Sequence, residues 1–139
     1  MSKRLVAGGT VIALLLGPVA AADDGAESVI RAFFTAVDAG QVEEAVAMLA
    51  PELTEGAGVK DAWTAQFSAI AAVDGVEIGA GQPDGACVTY RVDAVLEVAP
   101  DTADAPMPHY GWEQGVNTRW LQLCPAGGLW AIHAIGTGP

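Results

Sequence analysis

The chain has 139 residues, of which 17 are acidic and six are Lys or Arg, for a formal net charge of −11. A surface that negative repels phosphate backbones and anionic headgroups, which excludes nucleic acids and membrane surfaces as expected partners. The length suits a single domain with one modest core.

Met1-Ser-Lys-Arg4 forms a short basic head, followed by an apolar run from Leu5 to Ala22 and an abrupt acidic turn at Asp23-Asp24. Gly17-Pro18 breaks the run, and Ala20 and Ala22 supply small residues before the acidic pair. This pattern predicts a cleaved secretory signal over 1–22 and a mature domain over 23–139, placed in the periplasm or secreted. The run is about long enough to span a bilayer, but its glycines, proline and Ala-x-Ala ending disfavour an anchor. Cleavage removes Lys3 and Arg4, leaving four basic residues against 17 acidic ones, a formal charge of −13.

Ile30, Phe33, Phe34 and Val37 form an apolar stripe that predicts a helix over 26–39, stopped by Gly40. Val42, Ala45, Val46 and Leu49 predict a second helix, with Glu43 and Glu44 in its first turn and Pro51 at its end. One glycine between two helices demands an angle. Val59, Trp63, Phe67 and Ile70 predict a third helix over 59–73. Gly75 then ends the helical period, and Val76–Ile78 reads as a short strand before the turn signals of Gly79–Gly85.

Alternation is clear from Ala86 to Ala99, with Val88, Tyr90, Val92, Ala94, Leu96 and Val98 on one side. A long Pro-rich connection over 100–111 carries His109 and Tyr110, with Trp112 just beyond it. Its aromatics are expected to pack on the domain edge, the alternative being a lid. A strand over 112–124, a turn at Pro125–Gly128 and a last strand over 129–135 complete the chain. The order gives an α+β domain, with N-terminal helices packed on one face of a curved antiparallel sheet.

Cys87 and Cys124 are the only cysteines. In an exported protein such a pair is expected to bond. Placing them opposite one another pairs Val88 with Leu123, Tyr90 with Leu121 and Val92 with Arg119. Both apolar rows then coincide, which a one-residue slip would destroy. With Gly127-Gly128 as a two-residue turn, Leu123 faces Ile132, Gln122 faces His133 and Trp120 faces Ile135. Arg91, Trp120, Gln122, His133 and Ile135 are thereby expected on the sheet face away from the helices. An apolar strip there predicts a two-fold homodimer.

The opening Ser28-Val-Ile-Arg-Ala-Phe-Phe-Thr-Ala-Val-Asp-Ala-Gly40, the following Val42–Leu49 helix and the closing Trp130-Ala-Ile-His-Ala-Ile135 resemble NTF2-like (cystatin-like, SnoaL/ketosteroid-isomerase-type) domains. The resemblance spans the mature chain and rests on pattern rather than a diagnostic motif. It implies a cone with a pocket between helices and concave sheet, and a dimer through the outer sheet face. Such domains include isomerases, dehydratases, hydrolases and non-catalytic binding modules.

Phe34, Trp63, Phe67, Tyr90 and Arg119 are the expected lining of a mainly apolar pocket. Tyr90 is an oxyanion-donor candidate, but Asp93, Glu97 and His133 alternate outward, and no catalytic residue is assigned. Gly79-Ala-Gly81 precedes no helix and is not a phosphate cradle. No nucleophile elbow is present, and no metal or cofactor is expected from two histidines in different elements and two paired cysteines. The reading is an exported, non-catalytic binding module for a small molecule or peptide. Its alternatives are an isomerase or hydrolase using Tyr90, and a structural homodimer with a filled pocket.

Overall fold

A computed structural model describes residues 18–99 and 111–138, with side chains from residue 25 onward. Most of the expected leader, and the connection holding His109 and Tyr110, lie outside the described residues. The helices are α1 (Pro18–Asp38), α2 (Val42–Ala47), α3 (Pro51–Thr54) and α4 (Val59–Ser68). The strands are β1 (Ile70–Ile78), β2 (Gln82–Asp84), β3 (Cys87–Val98), β4 (Gly115–Ala126) and β5 (Leu129–Gly136). The helices pack on a curved, unclosed antiparallel sheet of order β1-β3-β4-β5, with β2 also paired to β3. This is the α+β architecture expected from the order of patterns.

Ala26, Ile30, Phe33, Phe34 and Val37 are the buried stripe of α1. The helix starts at Pro18 rather than at residue 26, running through the expected cleavage point. Its end is a Schellman motif: Gln41 N–H donates to Ala36 O at 2.8 Å, and Gly40 takes φ 75° in the left-handed region. That reversal sets α2 at an angle.

The second helix is shorter than expected. It ends at Ala47 because Pro51 disfavours helical backbone at Ala50, and the freed main chain finds β5 instead. Ala50 N–H donates to Ile132 O at 2.7 Å, and Ile132 N–H donates to Met48 O at 2.9 Å. Pro51 then opens the unexpected α3 from its first position, where no N–H is needed.

The third helix was expected to reach Val73 but stops at Ser68, and β1 begins at Ile70. Ile70, Val73 and Val76 have helical spacing, which is why the period misleads. Register irregularities between Ile70 and Ala72, and between Val73 and Gly75, each insert one residue. As a result Ile70, Val73, Val76 and Ile78 sit opposite Val98, Leu96, Ala94 and Val92, all in the apolar row of β3. Gly75 lies within this strand and does not end a helix.

The β3–β4 register is the one the cysteines imply: Val88 pairs Leu123, Tyr90 pairs Leu121 and Val92 pairs Arg119. Cys87 and Cys124 are disulfide-bonded with Cα atoms 4.2 Å apart. The β4–β5 hairpin begins as expected, with Leu123 opposite Ile132. A bulge at Gln122/Leu123 then places Ala134, not His133, opposite Gln122. Ile135 consequently faces Leu121 instead of Trp120 and packs against the core. The expected outer-face positions of His133 and Ile135 are corrected by that one extra residue.

Phe33, Phe67, Ile30, Leu96, Leu121, Leu123 and Ile132 are fully buried between the helices and the sheet. The Phe33 ring meets Phe34 and Phe67 edge-on at 5.0 and 5.1 Å between centroids. Such ring pairs add about 0.5–1.5 kcal/mol each beyond area burial.

Candidate functional site

The five residues expected to line a pocket divide between core and polar lock. Phe34 and Phe67 are buried, and the Trp63 ring lies 5.6 Å from Phe67, tilted by 38°, while donating its indole N–H to Leu53 O at 2.7 Å. Phe34 also borders a cleft of about 300 Å³ with Arg31, Asp38 and Val73, and Trp63 borders a separate one of about 380 Å³ with Val59 and Gln66. Tyr90 is 3% exposed, and its ring lies under Gly81. A Cβ at residue 81 would come 2.9 Å from Tyr90 Cε1 and 2.7 Å from Val88 Cγ1, so the close approach requires glycine there.

Arg119 is 8% exposed and lies on the inner row as expected. Its guanidinium donates to Thr118 O at 2.8 Å and to Gly111 O, and its carbon stands 4.6 Å from the Trp112 ring centre. Burial pulls its pKa below the ordinary arginine value, with nearby Glu113 opposing the shift. Trp112 also donates its indole N–H to buried Gln66 on α4. Trp112 therefore packs on the domain, in agreement with the packing reading for that aromatic. Asn117, also buried, closes the adjoining turn by accepting from Glu113 N at 2.8 Å and donating to Glu113 O at 2.7 Å. The helical pattern places Gln66 with Lys60 and Asp61 on the polar side of its helix, whereas the structure buries it against Trp112; Asn117 was not singled out. A polar residue inside each apolar period was the available signal.

On the outer face the register brings Arg91, Trp120 and Gln122 together. Gln122 donates to Asp84 at 2.6 Å, Thr118 donates to Asp93 at 2.6 Å, and Arg91 lies 3.6 Å from Asp93. Asp93 is thus engaged on the face away from Tyr90. Val95 and Val116, directly opposite one another, are both exposed, Val116 by 68%. His133 lies toward the helices, 3.7 Å from Glu52 of α3.

An apolar cleft of about 790 Å³ lies elsewhere, between α1, the α2–α3 link and the β4–β5 hairpin. Gly25, Val29 and Ala32 form its α1 wall, one stripe round from the core stripe. Met48 and Pro51 form the second wall, held in place by the main-chain bridge to Ile132. Leu129 and Trp130 form the third. Leu129 is 74% exposed, and a Cβ at Gly25 would lie 3.3 Å from the Trp130 indole. None of the lining residues carries a charge. The sequence signal for this cleft was the helical spacing of the uncharged Gly25, Val29 and Ala32, which the larger residues of the neighbouring stripe overshadow.

Among the described residues, no three His, Cys, Asp or Glu side chains come together as a metal site, and no helix is long and apolar enough to cross a membrane.

The frame so defined is an α+β domain with helices on one face of an open antiparallel sheet. No protein-family model matches the chain, and no curated protein matches it. It is similar to a solved structure of Rv3472, a function-unknown protein from Mycobacterium tuberculosis, with TM-score 0.57 and 13% identity over 87% of this chain and 75% of that one. At that identity the likeness carries the fold alone.

Proposed function

We propose that the chain is an exported, NTF2-like, non-catalytic binding module that takes an apolar ligand in the cleft between α1 and the β4–β5 hairpin. The observation that carries this reading is the cleft's uncharged lining within a chain of net charge −11. Ligand sites are typically concave, mainly apolar and about 300–1,000 Å³ in volume, and the cleft falls within that range. The disulfide is compatible with an oxidising compartment. Among the described side chains the first buried one is Ala26, beyond the expected cleavage point before Asp23.

The test is titration with a neutral solvatochromic dye such as Nile red. Saturable emission enhancement is expected, and Met48→Asp or Leu129→Asp should abolish it while preserving the melting transition. A dye that binds neither protein nor variants, or binds all of them equally, would refute the reading.

A second feature of the same proposal is a homodimer through the outer sheet face. The exposed Val95–Val116 pair, beside Trp120, supports it.

A further inference from the structure

We infer that the ligand of this cleft is a cationic amphipathic peptide segment, its apolar side chains in the cleft and its Lys or Arg side chains on the acidic flank. The inference rests on the cleft being a binding site, as proposed above, and goes on to name the class of partner.

The floor and the flank of the cleft differ in charge. Gly25, Val29, Met48, Pro51, Leu129 and Trp130 offer no ionisable group. Glu43 and Glu44 lie four and three positions before the lining residue Ala47, one helical turn along the same face of α2. Glu52 follows the lining residue Pro51. All three glutamates are exposed. Among the described residues, none of them pairs with Lys or Arg. Arg31 is engaged by Glu27 and Arg91 by Asp93, and the basic group beside Glu52 is His133 at 3.7 Å.

Each candidate occupant uses these features differently. A neutral small molecule fills the floor and leaves the carboxylates idle. An anionic amphiphile or an anionic bilayer meets repulsion from the flank and from the whole chain. A segment with apolar residues at helical spacing and cations beside them uses both, the mode by which amphipathic helices enter grooves. Leu129, at the hairpin tip and 74% exposed, extends the apolar surface outward, where a segment several residues long reaches it.

The experiment uses two 14-residue peptides, one of leucine and lysine at helical spacing and one with glutamate replacing lysine, together with the neutral dye. The lysine peptide is expected to displace the dye, to bind about tenfold more weakly to the Glu43→Gln/Glu44→Gln/Glu52→Gln variant, and to weaken with added salt. The dye should bind that variant as it binds the unaltered protein. Equal binding of the two peptides, or lysine-peptide binding unaffected by the triple variant or by Met48→Asp, overturns the inference while dye binding sustains the cleft. Failure of dye and peptides alike overturns the cleft reading itself.

Discussion

The Arg119 guanidinium lies 4.6 Å from the centre of the Trp112 ring, and the Trp112 indole N–H is bound by Gln66 on α4. A buried cation is thereby held by a flat aromatic face and two backbone carbonyls. Lysine cannot match that planar fork, so Arg119→Lys should lose about 1–2 kcal/mol of stability despite keeping the charge. Trp112→Ala should cost more, because it also leaves buried Gln66 short of a donor. Urea titrations of the two variants should rank them in that order; a neutral Arg119→Lys would show that the stacking contributes nothing.

The Cys87–Cys124 bond closes a separation of 37 residues. On the chain-entropy model, its removal by Cys87→Ser with Cys124→Ser should lower stability by about 3–4 kcal/mol. The purified oxidised protein, unfolded in denaturant without reductant, should show no titratable thiol. Two thiols per chain would contradict the bond.

How much of this was legible depended on which residues carried the information. The β3–β4 pairing could be read because two independent signals, the cysteines and the apolar alternation, fixed one register. The β1 strand could not, because Ile70, Val73 and Val76 repeat every three residues, and only pairing with β3 turns that spacing into a bulged strand. The same limit applied at β5, where the bulge opposite Gln122/Leu123 has no local marker in Ile132-His133-Ala134. The aromatic residues expected to line one pocket instead meet ring against ring, Phe33 with Phe34 and Phe67, and Trp63 with Phe67, and Phe34 and Trp63 border two separate clefts. The apolar cleft draws Gly25, Val29, Met48, Pro51, Leu129 and Trp130 from three separate stretches, and no local period announces their convergence.

The bulge makes a sharp prediction at Ile135. Facing Leu121 and packed on the core, Ile135→Ala should cost about 1–2 kcal/mol, below the range for fully buried positions. An outward Ile135, opposite Trp120, would make the change nearly neutral. Thermal melts distinguish the two.

Asp38 reaches 35 positions along the chain to accept the Val73 N–H at 2.8 Å. Asp38→Asn retains an acceptor and should be close to neutral. Asp38→Ala should lose about 1 kcal/mol, and the Val73 amide should exchange faster with solvent. Unchanged exchange at Val73 would contradict the contact.

Association through the outer face is tested at Val116. Val116→Glu should leave stability within about 0.5 kcal/mol, as surface changes usually do, while turning a dimer into a monomer by sedimentation. A monomer before the substitution would remove the dimer proposal.

Non-strand groups reach both outer strands of the β1-β3-β4-β5 path: the Met48–Ala50 main chain bonds Ile132 of β5, and the Asp38 carboxylate accepts the Val73 N–H of a doubly bulged β1. Open sheet borders are templates for runaway polymerisation, because a bare ladder recruits any extended chain. These contacts, and the bulges of β1, leave less bare ladder for a further chain to add to. Loss of either border contact should therefore appear first as fibrillation when the protein is concentrated, before any change in its melting transition.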